Sequence, residues 1–70
     1  MRPEWAVEIY DKLHTYSITV KELSKEAGYH PKYAGWVLNG RRASPTARAY
    51  LEMAVERLVE KRVREKRHDS

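Results

Sequence analysis

The sequence predicts an all-α fold of four helices, and three observations lead to that prediction. Near the N-terminus apolar residues recur at i, i+4, i+8 and i+11, namely Trp5, Ile9, Leu13 and Tyr16. This spacing is that of one face of an amphipathic helix, over about residues 3–15. Two later helices have clear start signals, at Thr19 and at Ser44-Pro45. After Pro45, residues 46–66 contain no Gly or Pro and are rich in helix-forming residues, which predicts one long helix over residues 45–66.

The second helix is predicted over about residues 20–27. Thr19 is a good N-cap, and Glu22 follows three residues later, so the two residues form the pattern of a capping box. Gly28 stands where the chain must leave the helix through a left-handed conformation, which glycine adopts at least cost.

The third helix is predicted over about residues 31–38. Pro31 suits the first turn of a helix, because an N–H is unpaired there in any case. Asn39 and Gly40 are the residues that best tolerate a positive φ, so they suit the end of this helix. Two short helices across a glycine-containing turn, within residues 19–40, have the sequence outline of a helix-turn-helix.

The fourth helix is predicted to extend beyond the core of so small a protein, since residues 45–66 at about 1.5 Å per residue span about 33 Å. Leu51, Ala54, Val55 and Leu58 are expected to close the core. An apolar track at i, i+4, i+8, made by Val55, Val59 and Val63, is expected to continue beyond it and to form a dimer interface flanked by Arg62. Two exposed i,i+4 ion pairs are also expected, Glu60–Arg64 and Lys61–Glu65. Residues 68–70 are expected to fray.

The amino-acid composition excludes several classes of function. Seventy residues predict one small domain, and the absence of cysteine excludes disulfides and thiolate metal sites. The three histidines show no metal-ligand spacing, so we expect neither a metal nor a cofactor. No stretch approaches a membrane span or a signal peptide, which predicts a cytoplasmic protein, prokaryotic and associated with the nucleoid.

The positive charge is concentrated in one part of the chain. The net charge is +4 in total, with −1 in residues 1–30, +4 in residues 31–50 and +1 in residues 51–70. The excess therefore follows the start of the third helix, where a polyanion would be met if this helix entered a DNA groove. A solvated basic surface without a partner is the alternative.

Residues 19–42 resemble the helix-turn-helix of the Cro and lambda-repressor-like family, also called the xenobiotic-response-element family. The matching features are, in chain order, Thr19, Leu23, Ser24, Gly28, Tyr29, Ala34, Val37 and the Asn39-Gly40-Arg41-Arg42 ending. The general style is similar to small phage or prophage regulators. The resemblance implies a lambda-repressor-like domain of four helices, here with an extended C-terminal helix.

The family geometry implies roles for individual residues, because its third helix presents N-terminal residues to base edges in the major groove. The candidates for base contact are His30, Lys32, Gly35 and Trp36. The candidates for phosphate contact are Thr19, Lys21, Tyr33, Asn39, Arg41 and Arg42. Core packing is the alternative for Tyr33 and Trp36, and an idle surface charge is the alternative for Lys32, Arg41 and Arg42.

Two positions depart from the family pattern. Many members have Gln just after the first cap, where this chain has Val20, which can bind neither phosphate nor the third helix. Pro31 occupies the first base-facing position and offers no side-chain hydrogen bond. The family's separate fifth helix is expected here as a continuation of the fourth.

The leading hypothesis is a transcriptional regulator, of the repressor kind, that binds double-stranded DNA sequence-specifically as a homodimer on a two-fold operator. One alternative is the antitoxin or accessory protein of a two-gene module, whose long helix also binds a protein partner. Another is a protein–protein interaction module derived from a helix-turn-helix. An enzyme is not expected, because no nucleophile, base and orienting group can be assembled and a small domain has little room for a pocket.

Overall fold

The computed structural model describes residues 2–68, with side chains described as far as Lys66. It has four helices: α1 (Glu4–Thr15), α2 (Val20–Ala27), α3 (Pro31–Leu38) and α4 (Pro45–His68). The all-α prediction is confirmed, since the described residues form no strand. The expected fraying concerned His68, where α4 ends, and Asp69 and Ser70, which lie outside the described residues.

One apolar core is shared by all four helices. Its buried aliphatic side chains come from α1, the connection to α2, α2, α3 and α4; they include Ile9, Leu13, Ile18, Leu23, Val37, Leu38, Leu51 and Val55. The stripe predicted on α1 is only partly right: Ile9 and Leu13 are buried, whereas Trp5 and Tyr16 are partly buried at its edges.

The helix starts follow the sequence signals. Thr19 Oγ1 accepts a hydrogen bond from the N–H of Glu22 at 3.0 Å, and Ser44 Oγ accepts one from the N–H of Ala47 at 3.1 Å. Gly28 ends α2 with φ 84° and ψ 25°, in the left-handed conformation that was predicted. The second half of the capping box is absent, because the Glu22 carboxylate binds Arg62 on α4 at 2.9 Å instead.

Ion pairs connect α2 with the second half of α4. The Glu26 carboxylate accepts hydrogen bonds from Arg57 Nε at 3.0 Å and Lys61 Nζ at 3.3 Å. The predicted Lys61–Glu65 pair is therefore wrong, because Lys61 reaches across to Glu26. The predicted Glu60–Arg64 pair is present at 2.8 Å.

The apolar track expected to be free for a dimer is mostly covered by the chain itself. The core-closing prediction is confirmed, because Leu51, Ala54, Val55 and Leu58 are all buried. Val55 is therefore not available to a partner, and Val59 is partly buried against the core, since α2 packs along α4. Of the three valines only Val63 is exposed.

Arg62 also has a role inside the chain rather than on a free flank. Its guanidinium donates to the carbonyl oxygens of Tyr16 at 3.2 Å and Ser17 at 3.4 Å, besides the Glu22 carboxylate. Ser17 has φ 54°, a left-handed conformation that the sequence did not indicate. Arg62 therefore fixes the turn between α1 and α2 onto α4.

Candidate nucleic-acid interface

Helix α3 has one buried side and one open side. Ala34, Val37 and Leu38 are buried in the core. On the other side Lys32 is exposed, Trp36 is 37% exposed and Gly35 is partly exposed. We call Lys32, Gly35 and Trp36 the α3 outer face; residues three and four apart on a helix lie on the same side, so the three form one surface.

Lys32 presents its ammonium group from the first turn of this helix. The side chain is exposed, and it forms no ion pair or hydrogen bond with the part of the chain that the structure describes. A lysine in this position can donate to any acceptor brought against the helix.

His30 lies at the start of α3 and caps it. Its Nδ1 accepts a hydrogen bond from the N–H of Lys32 at 3.1 Å, which leaves Nε2 as the ring atom open to a ligand. The capping role was not predicted. The one available signal was the position of His30 directly before Pro31, the first residue of the helix.

Gly35 has no packing reason to be glycine. A Cβ atom built there meets nothing within 4 Å, and its φ is not in the positive range. Glycine inside a helix costs about 0.5–1 kcal/mol relative to alanine. The absent side chain therefore leaves an open gap in the α3 outer face, beside Trp36, where another molecule can approach the helix backbone closely.

Trp36 is joined to the loop that follows α3. Its carbonyl oxygen accepts hydrogen bonds from the N–H groups of Arg41 at 2.9 Å and Arg42 at 3.3 Å. The Arg42 guanidinium carbon lies 5.9 Å from the centroid of the Trp36 ring, within the range of a cation–π contact. Core packing, the alternative for Trp36, is not what the structure has, since the ring lies at the surface beside exposed arginines.

Tyr33 occupies an intermediate position. Its ring is partly buried against the core and lies 5.4 Å from the ring of Tyr29, which in turn lies 6.2 Å from that of Tyr50. The core-packing alternative therefore accounts for most of this ring, and only its exposed edge remains available to a phosphate.

Two arginines have contacts that the sequence did not indicate, and one of them, Arg2, contacts the end of α3. Arg2 Nε donates to Asn39 Oδ1 at 3.3 Å, and its guanidinium stands 3.9 Å from the centroid of the Tyr10 ring. Arg48 stands 5.4 Å from the Trp5 ring. Arg2 is 37 residues from Asn39 in the chain, so no local pattern brings them together.

The other phosphate-contact candidates are at the surface. Thr19 and Lys21 are exposed at the start of α2, although the Thr19 hydroxyl oxygen already caps that helix, and Arg41 is exposed in the loop. Residues 27–51 contain no Asp or Glu. Lys32, Arg41 and Arg42 all belong to this acid-free segment, which has no carboxylate of its own to neutralise them.

The comparisons with known proteins give no relative. No protein-family model, no curated protein and no solved structure matches the chain.

Two further properties of the described residues bear on function. They contain no group of three or more His, Asp or Glu side chains placed to hold a metal ion. They also include no helix long and apolar enough to cross a membrane. What the surface around α3 offers is cationic donors, an aromatic ring and an open stretch of helix, which are the groups that nucleic acid binds.

Proposed function

We propose that this protein is a sequence-specific, double-stranded DNA-binding transcriptional regulator, of the repressor kind, that inserts α3 into the major groove. The observation that carries the proposal is the α3 outer face: an exposed lysine, an open glycine and an exposed tryptophan on one side of a helix within an acid-free segment. A helix of about 10–12 Å diameter fits the major groove, which is about 12 Å wide.

In this proposal α2, the turn at Gly28 and α3 act as a helix-turn-helix of the lambda-repressor-like kind. The departure at Val20 has a simple explanation in the packing, because its side chain is partly buried against the core. Pro31 is exposed at the first position of α3 and replaces a polar side chain with a rigid helix start.

Base recognition is assigned to the α3 outer face. Lys32 donates to guanine O6 or N7, and Trp36 contacts thymine methyl groups or the sugar–phosphate chain. Gly35 lets the groove wall approach the helix backbone. His30 contributes through Nε2 while its Nδ1 holds the start of the helix.

Phosphate contacts position the protein without reading sequence. Arg41 and Arg42 are assigned this role because both are exposed beside Trp36, and their backbone N–H groups are tied to its carbonyl oxygen. Arg2 joins them through its hydrogen bond to Asn39, and Lys21 serves the same purpose at the start of α2.

We further propose that the protein acts as a homodimer through α4. One α3 helix contacts few base pairs, and proteins of this kind pair across half-sites about 34 Å apart. Because Val55 is buried and Val59 is partly buried, the contact is centred on Val63 and the exposed charged residues around it, Glu60 and Arg64 among them.

The test is selection of duplexes from a randomised pool by the purified protein, followed by binding of the selected and a scrambled duplex over a range of salt concentrations. Tighter binding of the selected duplex, with an affinity that falls steeply as salt rises, supports the proposal. Binding with no preference between duplexes, or no binding to duplex DNA at low salt, contradicts it and would favour a protein–protein interaction module.

A further inference from the structure

A cleft separate from the α3 outer face lies between the start of α1, the loop after α3 and the start of α4. It has a volume of about 360 Å³, within the roughly 300–1,000 Å³ of typical small-molecule sites. Its walls are mainly apolar, from Pro3, Trp5, Val37 and Pro45.

The charged side chains that line this cleft are both arginines. They are Arg42, from the loop, and Arg48, from the second turn of α4, and no carboxylate lines the cleft among the described residues. The side chain of Arg48 is 51% exposed; its Nε lies 3.4 Å from a carboxylate oxygen of Glu52, and its guanidinium lies 5.4 Å from the Trp5 ring. One exposed ion pair leaves most of the five guanidinium N–H donors of Arg48 free for another acceptor.

We infer that this cleft binds a small organic anion with a flat apolar body, of the aryl carboxylate class. The apolar walls favour an aromatic body over a bare inorganic anion, which would leave them in contact with water. The two guanidinium groups match a carboxylate, because their parallel N–H donors pair with its two oxygens. The two arginines thus suit the charged end of such a ligand, and the apolar walls suit its aromatic body.

A consequence follows for DNA binding, and this second step rests on the proposed function. Arg42 lies both at this cleft and beside Trp36 of the α3 outer face. A carboxylate that binds Arg42 competes with a DNA phosphate for the same donors. The occupied protein is therefore expected to bind duplex DNA more weakly than the free protein.

Benzoate is a suitable probe, followed by nuclear magnetic resonance of the isotope-labelled full chain without DNA. The chain has two tryptophans, so two indole N–H signals report separately on the cleft and on the α3 outer face. Benzoate is expected to shift the Trp5 signal more than the Trp36 signal, in a saturable way. Benzamide, which is neutral, and inorganic phosphate, which has no apolar body, are expected to bind about tenfold more weakly or worse.

Two variants test the arginines, with a matched control on the same helix. Arg48→Gln and Arg42→Gln are each expected to weaken benzoate binding about tenfold. Arg57→Gln removes an arginine of similar exposure, 46% against 51% for Arg48, that does not line the cleft, and it is expected to leave the benzoate affinity unchanged. If Arg48→Gln lowers the melting temperature, its weaker binding is not attributed to the lost arginine, and the benzoate affinity of Arg42→Gln is used alone.

The proposal is overturned if benzoate causes no saturable shift of Trp5, if phosphate binds as well as benzoate, or if the folded variants bind benzoate like the parent. Since this titration uses no DNA, its failure leaves the proposed DNA-binding function standing. If the protein binds benzoate but no duplex DNA, the proposed function is contradicted and the ligand site in the cleft is supported. If saturating benzoate leaves the affinity for duplex DNA unchanged, only the expected competition between carboxylate and DNA phosphate for Arg42 is contradicted.

Discussion

The imidazole Nδ1 of His30 accepts a hydrogen bond from the backbone N–H of Lys32 at 3.1 Å. A residue at the edge of the proposed DNA surface thus also fixes the start of α3. We expect His30→Ala to lower the free energy of unfolding by about 0.5–2 kcal/mol, the usual effect of losing an N-cap. His30→Asn, whose side-chain oxygen can take over the cap, is expected to stay close to the parent. Urea unfolding at neutral pH measures both, and a His30→Ala variant as stable as the parent would contradict the capping role.

Gly28 and Gly35 form a matched pair, because an added Cβ atom has open space at both and only Gly28 has a positive φ, +84°. Gly28→Ala is expected to destabilise the protein by about 1–2 kcal/mol through left-handed strain. Gly35→Ala is expected to stabilise it by about 0.5–1 kcal/mol, since the helix is regular there. Thermal unfolding of both variants measures the two effects.

The Gly35→Ala variant also separates stability from function. If α3 enters a groove, the new methyl group is expected to weaken binding to a selected duplex while the melting temperature rises. A variant that is both more stable and equally tight in DNA binding would show that no molecule approaches Gly35 closely.

The ion pairs of Glu26 are expected to make the free energy of unfolding depend on pH. The hydrogen bonds from Arg57 and Lys61 lower the pKa of its carboxyl below the ordinary value of 4.5. A carboxyl with a lowered folded-state pKa stabilises the fold above its unfolded value, and that contribution is lost as the pH falls through the folded value. Glu26→Gln is therefore expected to be less stable than the parent at neutral pH, by up to about 1 kcal/mol for pairs this exposed.

The difference between parent and Glu26→Gln is expected to close below pH 4.5. Glu60→Gln is the control, because its carboxylate pairs with Arg64 on the same helix rather than with another helix. Urea unfolding across this pH range tests the expectation, and a gap that does not change with pH would contradict it.

Local patterns in the sequence were enough to place the helices. Apolar spacing, the caps at Thr19 and Ser44 and the turn at Gly28 depend on near neighbours, so they can be interpreted without tertiary structure. The residues of the open side of α3 were predicted from the resemblance to the helix-turn-helix family, and helical spacing explains why Lys32, Gly35 and Trp36 lie on one side.

The choice of partners across the fold could not be predicted in this way. Glu22 fits a capping box, yet Arg62 from 40 residues away takes its carboxylate. Val59 continues the track that was predicted to be free for a dimer, yet it is partly buried against the core. Arg2 reaches Asn39 only because the fold places the start of the chain beside the end of α3. Each of these depends on tertiary packing, which overrides local preference.

Val63 tests the proposed homodimer, since it is the exposed residue of the predicted track. Val63→Glu is expected to leave the fold intact and to give a monomer, because two glutamates would face each other across a two-fold contact. Met53→Glu, also at an exposed apolar position on α4, is the control. Sedimentation at micromolar concentration measures the state, and a Val63→Glu variant that remains dimeric would place the contact elsewhere.

The proposed function requires that the α3 outer face reads DNA sequence. The ratio of affinities for the selected and scrambled duplexes, measured for Lys32→Ala and for the parent, tests this directly. We expect the ratio to fall by about tenfold or more in Lys32→Ala, because one good base contact is worth about 1–3 kcal/mol of discrimination. Arg41→Ala is expected to weaken both duplexes alike and leave the ratio unchanged. A Lys32→Ala protein that keeps the parent's ratio would contradict the assignment of α3 to the groove.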